Sequence, residues 1–191
     1  MIVPSLFVRL LGGIELRVKG EPLTFPASRK TRALLGFLVA APGAHRRERL
    51  CSLLWEGPDD PRAQLRWSLA KLRPLLDTDG LVRLIADREH VRFDGTASAV
   101  DVWELGASAA RLDEAPIAEL RRLEELSRGE LMEGLDLPDA YRFQQWLVAE
   151  REVKRGLRVR VLRQLMLRLA GEPAEALAIA RAWIQVEPFA D

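Results

Sequence analysis

A chain of 191 residues, 48% hydrophobic and 30% charged, has the composition of a folded globular protein and length enough for one or two cores. No apolar run reaches the roughly 18 residues of a membrane span, the start Met1-Ile2-Val3-Pro4 lacks the basic-then-apolar layout of a signal peptide, and the single cysteine, Cys51, excludes a disulfide framework or a cysteine metal cluster; the cytoplasm is the expected location. The net charge of +1 hides an asymmetry: residues 1–95 hold 16 Lys+Arg against 11 Asp+Glu, and residues 96–191 hold 13 against 17. A basic first half is the electrostatic footprint of a nucleic-acid binder.

In chain order, residues 6–11, 13–18 and 22–25 are short, rich in β-formers and separated by Gly12-Gly13 and Lys19-Gly20-Glu21, which predicts a small antiparallel meander. Ser28 is placed to cap a helix over 29–41, which Ala41-Pro42-Gly43 ends. Residues 46–55 read as a second helix with Leu50, Leu53 and Leu54 on one face, and Glu56-Gly57-Pro58-Asp59 as a turn. A third helix starts at Asp60, whose carboxylate can accept a first-turn N–H, with Pro61 at a position where its missing donor costs nothing. Leu65, Leu69, Leu72 and Leu76 form its buried stripe.

The rest of that third helix carries Arg62, Gln64, Arg66, Trp67, Lys71 and Arg73 and no acid from residue 61 to 76. A solvated face normally mixes acids and bases, so this one fits a polyanion. Two short helices joined by a turn make a helix-turn-helix, whose second helix enters the major groove. Arg66 lies opposite the leucine stripe and can give guanine two donors; Lys71 beside it is a mobile charge for a base or a phosphate. Arg62 and Arg73 lie nearer the stripe and suit phosphates, and Gln64 and Trp67 are the alternative readers. The competing expectation is that Arg66 pairs with Glu48 or Asp59 instead. Trp67 is open to two readings, contact with a thymine methyl or packing on the turn or wing.

Residues 81–86 and 90–94 flank the charged Asp87-Arg88-Glu89, a predicted hairpin. As the wing of a winged helix it would present Arg88 at its tip and Arg83 and Arg92 on its strands to the backbone or minor groove. Arg46 and Arg47, at the start of the second helix, are further candidates for phosphate contacts.

Several motifs stand together in one order: Leu10-Leu11-Gly12-Gly13, Arg29-Lys30 ahead of Ala33-Leu34-Leu35, Leu53-Leu54-Trp55, Ala63-Gln64-Leu65-Arg66 running to Lys71-Leu72-Arg73, and Asp101-Val102. Through them the whole chain resembles the Streptomyces antibiotic regulatory protein family. The resemblance implies an OmpR-like winged helix over 1–97 and a helical bacterial transcriptional activation domain over 98–191, hence an α+β chain. It further implies double-stranded DNA, often as direct repeats, and RNA polymerase as partners. Two positions depart from the pattern. Arg46 replaces the usual Ser or Thr cap and cannot accept a hydrogen bond, and Trp67 replaces a smaller or polar residue.

Beyond Gly95-Thr96-Ala97-Ser98 the pattern turns helical. Asp101 is placed to cap a segment to Arg111, Pro116 to open one to Arg128 that Gly129 closes, and Asp139 to start a long helix to about residue 170. That helix is predicted to turn Phe143, Trp146, Leu147, Val153, Leu157, Leu162, Leu165 and Leu169 inward. From Gly171-Glu172-Pro173 to Trp183 and Pro188 the spacing resembles half of a tetratricopeptide repeat. Such repeats need about three units to bury their faces, so a second copy or downstream repeats are expected to cover this one.

No chemistry for catalysis or cofactor binding is legible. Gly12-Gly13 lacks the GxxxxGK[ST] pattern, and His45 and His90 read as lone solvated residues without ligand spacing. The functional expectation is a sequence-specific DNA-binding regulator. The alternatives are an adaptor whose winged helix docks protein through Trp67, and the output head of a larger signalling ATPase.

Overall fold

The computed structural model describes residues 4–57, 60–169 and 171–187. Strands β1 (Leu6–Arg9), β2 (Glu15–Val18) and β3 (Glu21–Pro22) form the expected antiparallel meander and bury Leu6, Val8 and Leu16 on one face. Helix α1 (Arg29–Ala40) begins where the Ser28 hydroxyl accepts the Thr31 N–H at 3.3 Å. β4 (His45–Arg46) leads directly into α2 (Arg47–Leu54), which has no side-chain cap, as Arg46 dictates. Helix α3 (Pro61–Leu76) starts at Asp60, whose Oδ1 accepts the Arg62 and Ala63 N–H groups at 3.0 Å each, and all four stripe leucines are buried. A buried hydroxyl pair, Thr31 with Ser68 at 3.0 Å, fixes α1 to α3.

The wing is β5 (Leu84–Ala86) and β6 (His90–Phe93), and β4 extends it to the order β4-β6-β5. Three helices and a hairpin sheet make a winged helix. β4 was not expected, and its consequence is that His45 is not solvated: the ring is buried, 2.7 Å from the Ala41 carbonyl and 4.9 Å from the Phe37 ring. A further strand, β7 (Ser98–Val100), pairs with β1 in parallel, so the first sheet is mixed, in the order β3-β2-β1-β7, rather than purely antiparallel. The boundary expected at 97/98 therefore falls just ahead of a strand that the first sheet takes up.

The remaining elements are α4 (Asp101–Ser108), a 3-10 turn over Ala109–Arg111, α5 (Ile117–Leu126), α6 (Tyr141–Arg168) and α7 (Pro173–Val186). The chain as a whole is mixed α+β, and no described helix is long and apolar enough to cross a membrane. α6 packs on α5, α7 and α2. Its first turns bury Phe143 and Leu147, its last turns Val161, Leu162 and Leu165, and nothing between them is fully buried. Val153 is therefore 54% exposed, against expectation, because a helix that joins two packing sites need not hold one stripe throughout.

The two halves share one apolar core. Trp146 stands edge-on to Phe37 at 4.7 Å, and the Trp103 Nε1–H donates to the Val39 carbonyl at 2.8 Å. The segment after α5 then threads along the stretch that follows β1: Gly12 N–H donates to Glu130 O at 2.8 Å, Met132 N–H to Leu10 O at 2.7 Å and Glu133 N–H to Gly12 O at 2.8 Å. Gly12 lies at φ +100°, open to glycine at no steric cost, and a Cβ on Gly129 would fall 2.4 Å from the Gly12 Cα, so both glycines are required here. Asp101 is not the expected cap but the first residue of α4. Its buried Oδ2 accepts the Leu10 and Leu11 N–H groups at 2.8 and 2.7 Å, and its Oδ1 accepts the Val102 N–H at 2.7 Å. Burial pushes this carboxyl up from its ordinary range, and those three N–H donors oppose the shift.

Candidate nucleic-acid interface

The face of α3 opposite its leucines is presented to solvent. Arg62, Gln64, Arg66, Trp67, Lys71 and Arg73 are all exposed. Two of the bases have acids in reach: Arg62 lies 3.4 Å from Glu48 on α2, and Arg73 lies 3.4 Å from Asp77. Exposed pairs of this kind are worth at most about 1 kcal/mol, so a phosphate can take either arginine over. Arg66 has no ion pair among the described residues, Glu48 being taken by Arg62, while Asp59 lies outside them. Trp67 is 48% exposed with the Lys71 ammonium 5.5 Å above its ring, a cation–π contact that holds both side chains on the exposed face.

Between this face and the wing runs an open cleft of about 790 Å³. Arg47, Arg62, Arg66 and Arg88 converge on it, together with Glu48 and Asp87. The wing is tied to the start of α2 by two bonds from one residue, Arg47 N–H to Glu89 O and Arg47 Nε–H to Asp87 O, both 2.8 Å. At the wing tip the N–H groups of His90 and Glu89 both bond Asp87 Oδ1 at 2.7 Å and hold its carboxyl below the usual range, so it stays ionised while closing the turn. Arg88 is left at the tip, exposed, and Arg46 is exposed on β4. Gln64 stands elsewhere, beside Trp55, Gly57 and Asp139 in a separate recess.

Arg83 is the clear departure from expectation. Rather than projecting from the wing, it is fully buried, with its guanidinium bonded to Leu76 O at 2.9 Å, Thr96 O at 3.1 Å, Thr78 Oγ1 at 3.0 Å and Ser5 Oγ at 2.8 Å. It holds the end of α3 and is not available to DNA. Arg92 is turned to Asp94 at 3.0 Å. Glu48, expected as a competitor for Arg66, lies in the cleft but pairs with Arg62 instead. Burial, then Glu48, push the Cys51 thiol up, which keeps it protonated and inert. Among the described residues no group of His, Cys, Asp and Glu is arranged to hold a metal ion.

No protein-family model matches the chain, and no curated protein matches it in sequence. Among solved structures it is similar to Mycobacterium tuberculosis EmbR, determined in complex with a low affinity phosphopeptide, with a TM-score of 0.64 and 20% identity over 96% of this chain and 59% of that one. The two share a fold. The likeness runs through both the winged helix and the helices after it, and the chain spans 59% of the length of the EmbR structure.

Proposed function

We propose that the chain is a sequence-specific DNA-binding transcriptional regulator. Residues up to about 97 hold double-stranded DNA, with α3 in the major groove and the wing on the backbone. Residues 98–191 are the part that meets RNA polymerase, a second protomer or further repeats. The observation that carries this reading is the exposed, acid-free face of α3 running into a cleft on which four arginines converge. The family resemblance and the shared fold with EmbR support it.

Within this reading Arg66 reads a base. Replacing it with alanine should cost about 1–3 kcal/mol on the preferred duplex and much less on random DNA, because a base contact carries discrimination and a phosphate contact does not. Sites selected from a randomised duplex pool, then titrated against wild type and Arg66→Ala, measure the difference; equal losses on both duplexes would retire Arg66 as the reader. Arg46, Arg47 and Arg88 are assigned to phosphates. Each alanine variant should weaken binding to all duplexes alike and lower the salt slope by about one unit. An unchanged slope in all three would remove this docking.

One observation favours the adaptor reading, namely Trp67 standing about half exposed in the middle of the face. On that reading Trp67→Ala abolishes capture of a protein partner while duplex affinity is absent from the start. The output head of a larger signalling ATPase remains compatible with DNA binding.

A further inference from the structure

A cavity of about 560 Å³ lies beside the junction of the two halves, walled by the segment after α5, the middle of α6 and the end of α7. It faces the stretch of α6 that has no fully buried residue. On that wall Arg151, Lys154, Arg155 and Arg158 recur at i, i+3, i+4 and i+7, which places four cations on one helix face. Three of them are matched by acids: Arg151 by Glu130 at 3.2 Å, Lys154 by Glu150 at 3.2 Å and Arg155 by Glu152 at 2.5 Å.

Arg158 is different. Among the described residues it has no carboxylate partner, its only bond is from Nη1–H to the Arg128 carbonyl at 2.7 Å, and its Nε is buried with no acceptor. Burial pushes its guanidinium down from the ordinary value, with Glu124 opposing the shift and Arg128 adding to it. The guanidinium is half-buried, with its Nε out of water and no acid paired to it, an arrangement that costs free energy and that an anion in the cavity relieves. Lys154, one turn away and mostly buried, has a single acid for its three donors. The acids of the cavity lie toward the other end, where Glu130 meets Arg151, about 10 Å along the helix from Arg158. Leu131, Val148 and Val186 complete the lining with apolar surface. A volume of this size suits a small organic molecule better than a bare ion.

We propose that this cavity binds a small organic anion, its one acidic group set against Arg158 and Lys154 and its apolar body against Leu131, Val148 and Val186. The aromatic sulfonate 8-anilinonaphthalene-1-sulfonate has this chemistry and reports its own binding by fluorescence. Titrated into the full chain well below its melting temperature, it should show one saturable site. The R158Q/K154Q variant should bind it about tenfold more weakly or worse. Val148→Asp, which adds a negative charge at an exposed rim position and leaves the core untouched, should weaken it similarly. Leu177→Ser with Ile184→Ser, which removes exposed apolar surface on α7, should leave it unchanged. Because Arg158 is uncompensated, Arg158→Gln should melt no lower than wild type. The proposal is overturned by absence of saturable binding, by R158Q/K154Q and Val148→Asp both binding as wild type does, by loss of the site in the α7 variant, or by a lowered melting temperature in Arg158→Gln.

Discussion

Arg83→Ala is expected to destabilise the chain by about 3–5 kcal/mol, the range for removing one partner of a buried, fully bonded charged group. The side chain has no exposed surface and its donors reach three separate pieces of chain: the end of α3 through Leu76 and Thr78, the turn at Thr96, and Ser5 ahead of β1. Truncation leaves the Leu76 and Thr96 carbonyls without these donors and opens a void the size of the lost side chain. The cation also sits at the C-terminus of α3, where the helix dipole favours positive charge. Lysine should rescue little, since one ammonium cannot span acceptors that a planar guanidinium reaches together. Urea denaturation of Arg83→Ala and Arg83→Lys measures the effect. Losses below about 1 kcal/mol would mean that the guanidinium is free in solution, as the wing reading of the sequence had it.

Asp101→Ala should cost about 2–5 kcal/mol, because three N–H groups, on Leu10, Leu11 and Val102, lose their acceptor and at least two of them have no water to replace it. Asparagine keeps one acceptor oxygen and should lose less. The pH dependence has a definite sign. The carboxyl pKa is raised on folding, so the folded chain holds the proton more tightly than the unfolded chain, and this group's contribution is most favourable at low pH and declines as pH rises through the raised value. Asp101→Asn should lack that decline. Thermal melts across the acid range, with amide exchange at Leu10 and Leu11, test both parts; unchanged exchange at those two amides in Asp101→Ala would contradict the account.

Where local chemistry decides structure, the sequence was legible. Asp60, Pro61 and the leucine stripe specify α3 to the residue, Ser28 specifies the start of α1, and the charged triplet 87–89 specifies the wing turn. Where the decision is made by distant partners, it was not. β7 is three residues of unremarkable composition whose only reason to be a strand is β1, about ninety residues earlier. Arg83 occupies a strand-flanking position that reads as surface, and only tertiary structure brings its acceptors together. Asp101 resembles a cap in sequence but serves the stretch after β1 more than its own helix. Val153 follows the apolar spacing of α6 and still faces solvent, since that helix changes partners midway. Of the ten residues assigned to DNA from sequence, the structure gathers Arg47, Arg62, Arg66 and Arg88 around the cleft, sets Trp67, Lys71 and Arg73 on the adjoining face, leaves Arg46 exposed on β4, turns Gln64 to a separate recess and buries Arg83.

The most direct measurement of the central claim is the salt dependence of duplex binding by the full chain. With Arg46, Arg47, Arg62, Arg73 and Arg88 on phosphates, the logarithm of affinity should fall with the logarithm of salt at a slope of about −4 to −5, so that raising salt from about 50 to 200 mM weakens binding by a factor on the order of 10² to 10³. Fluorescence anisotropy of a labelled duplex reads this slope. The account predicts a steep line that flattens as each of those arginines is replaced. Absence of duplex binding at low salt, or binding indifferent to salt, would contradict it.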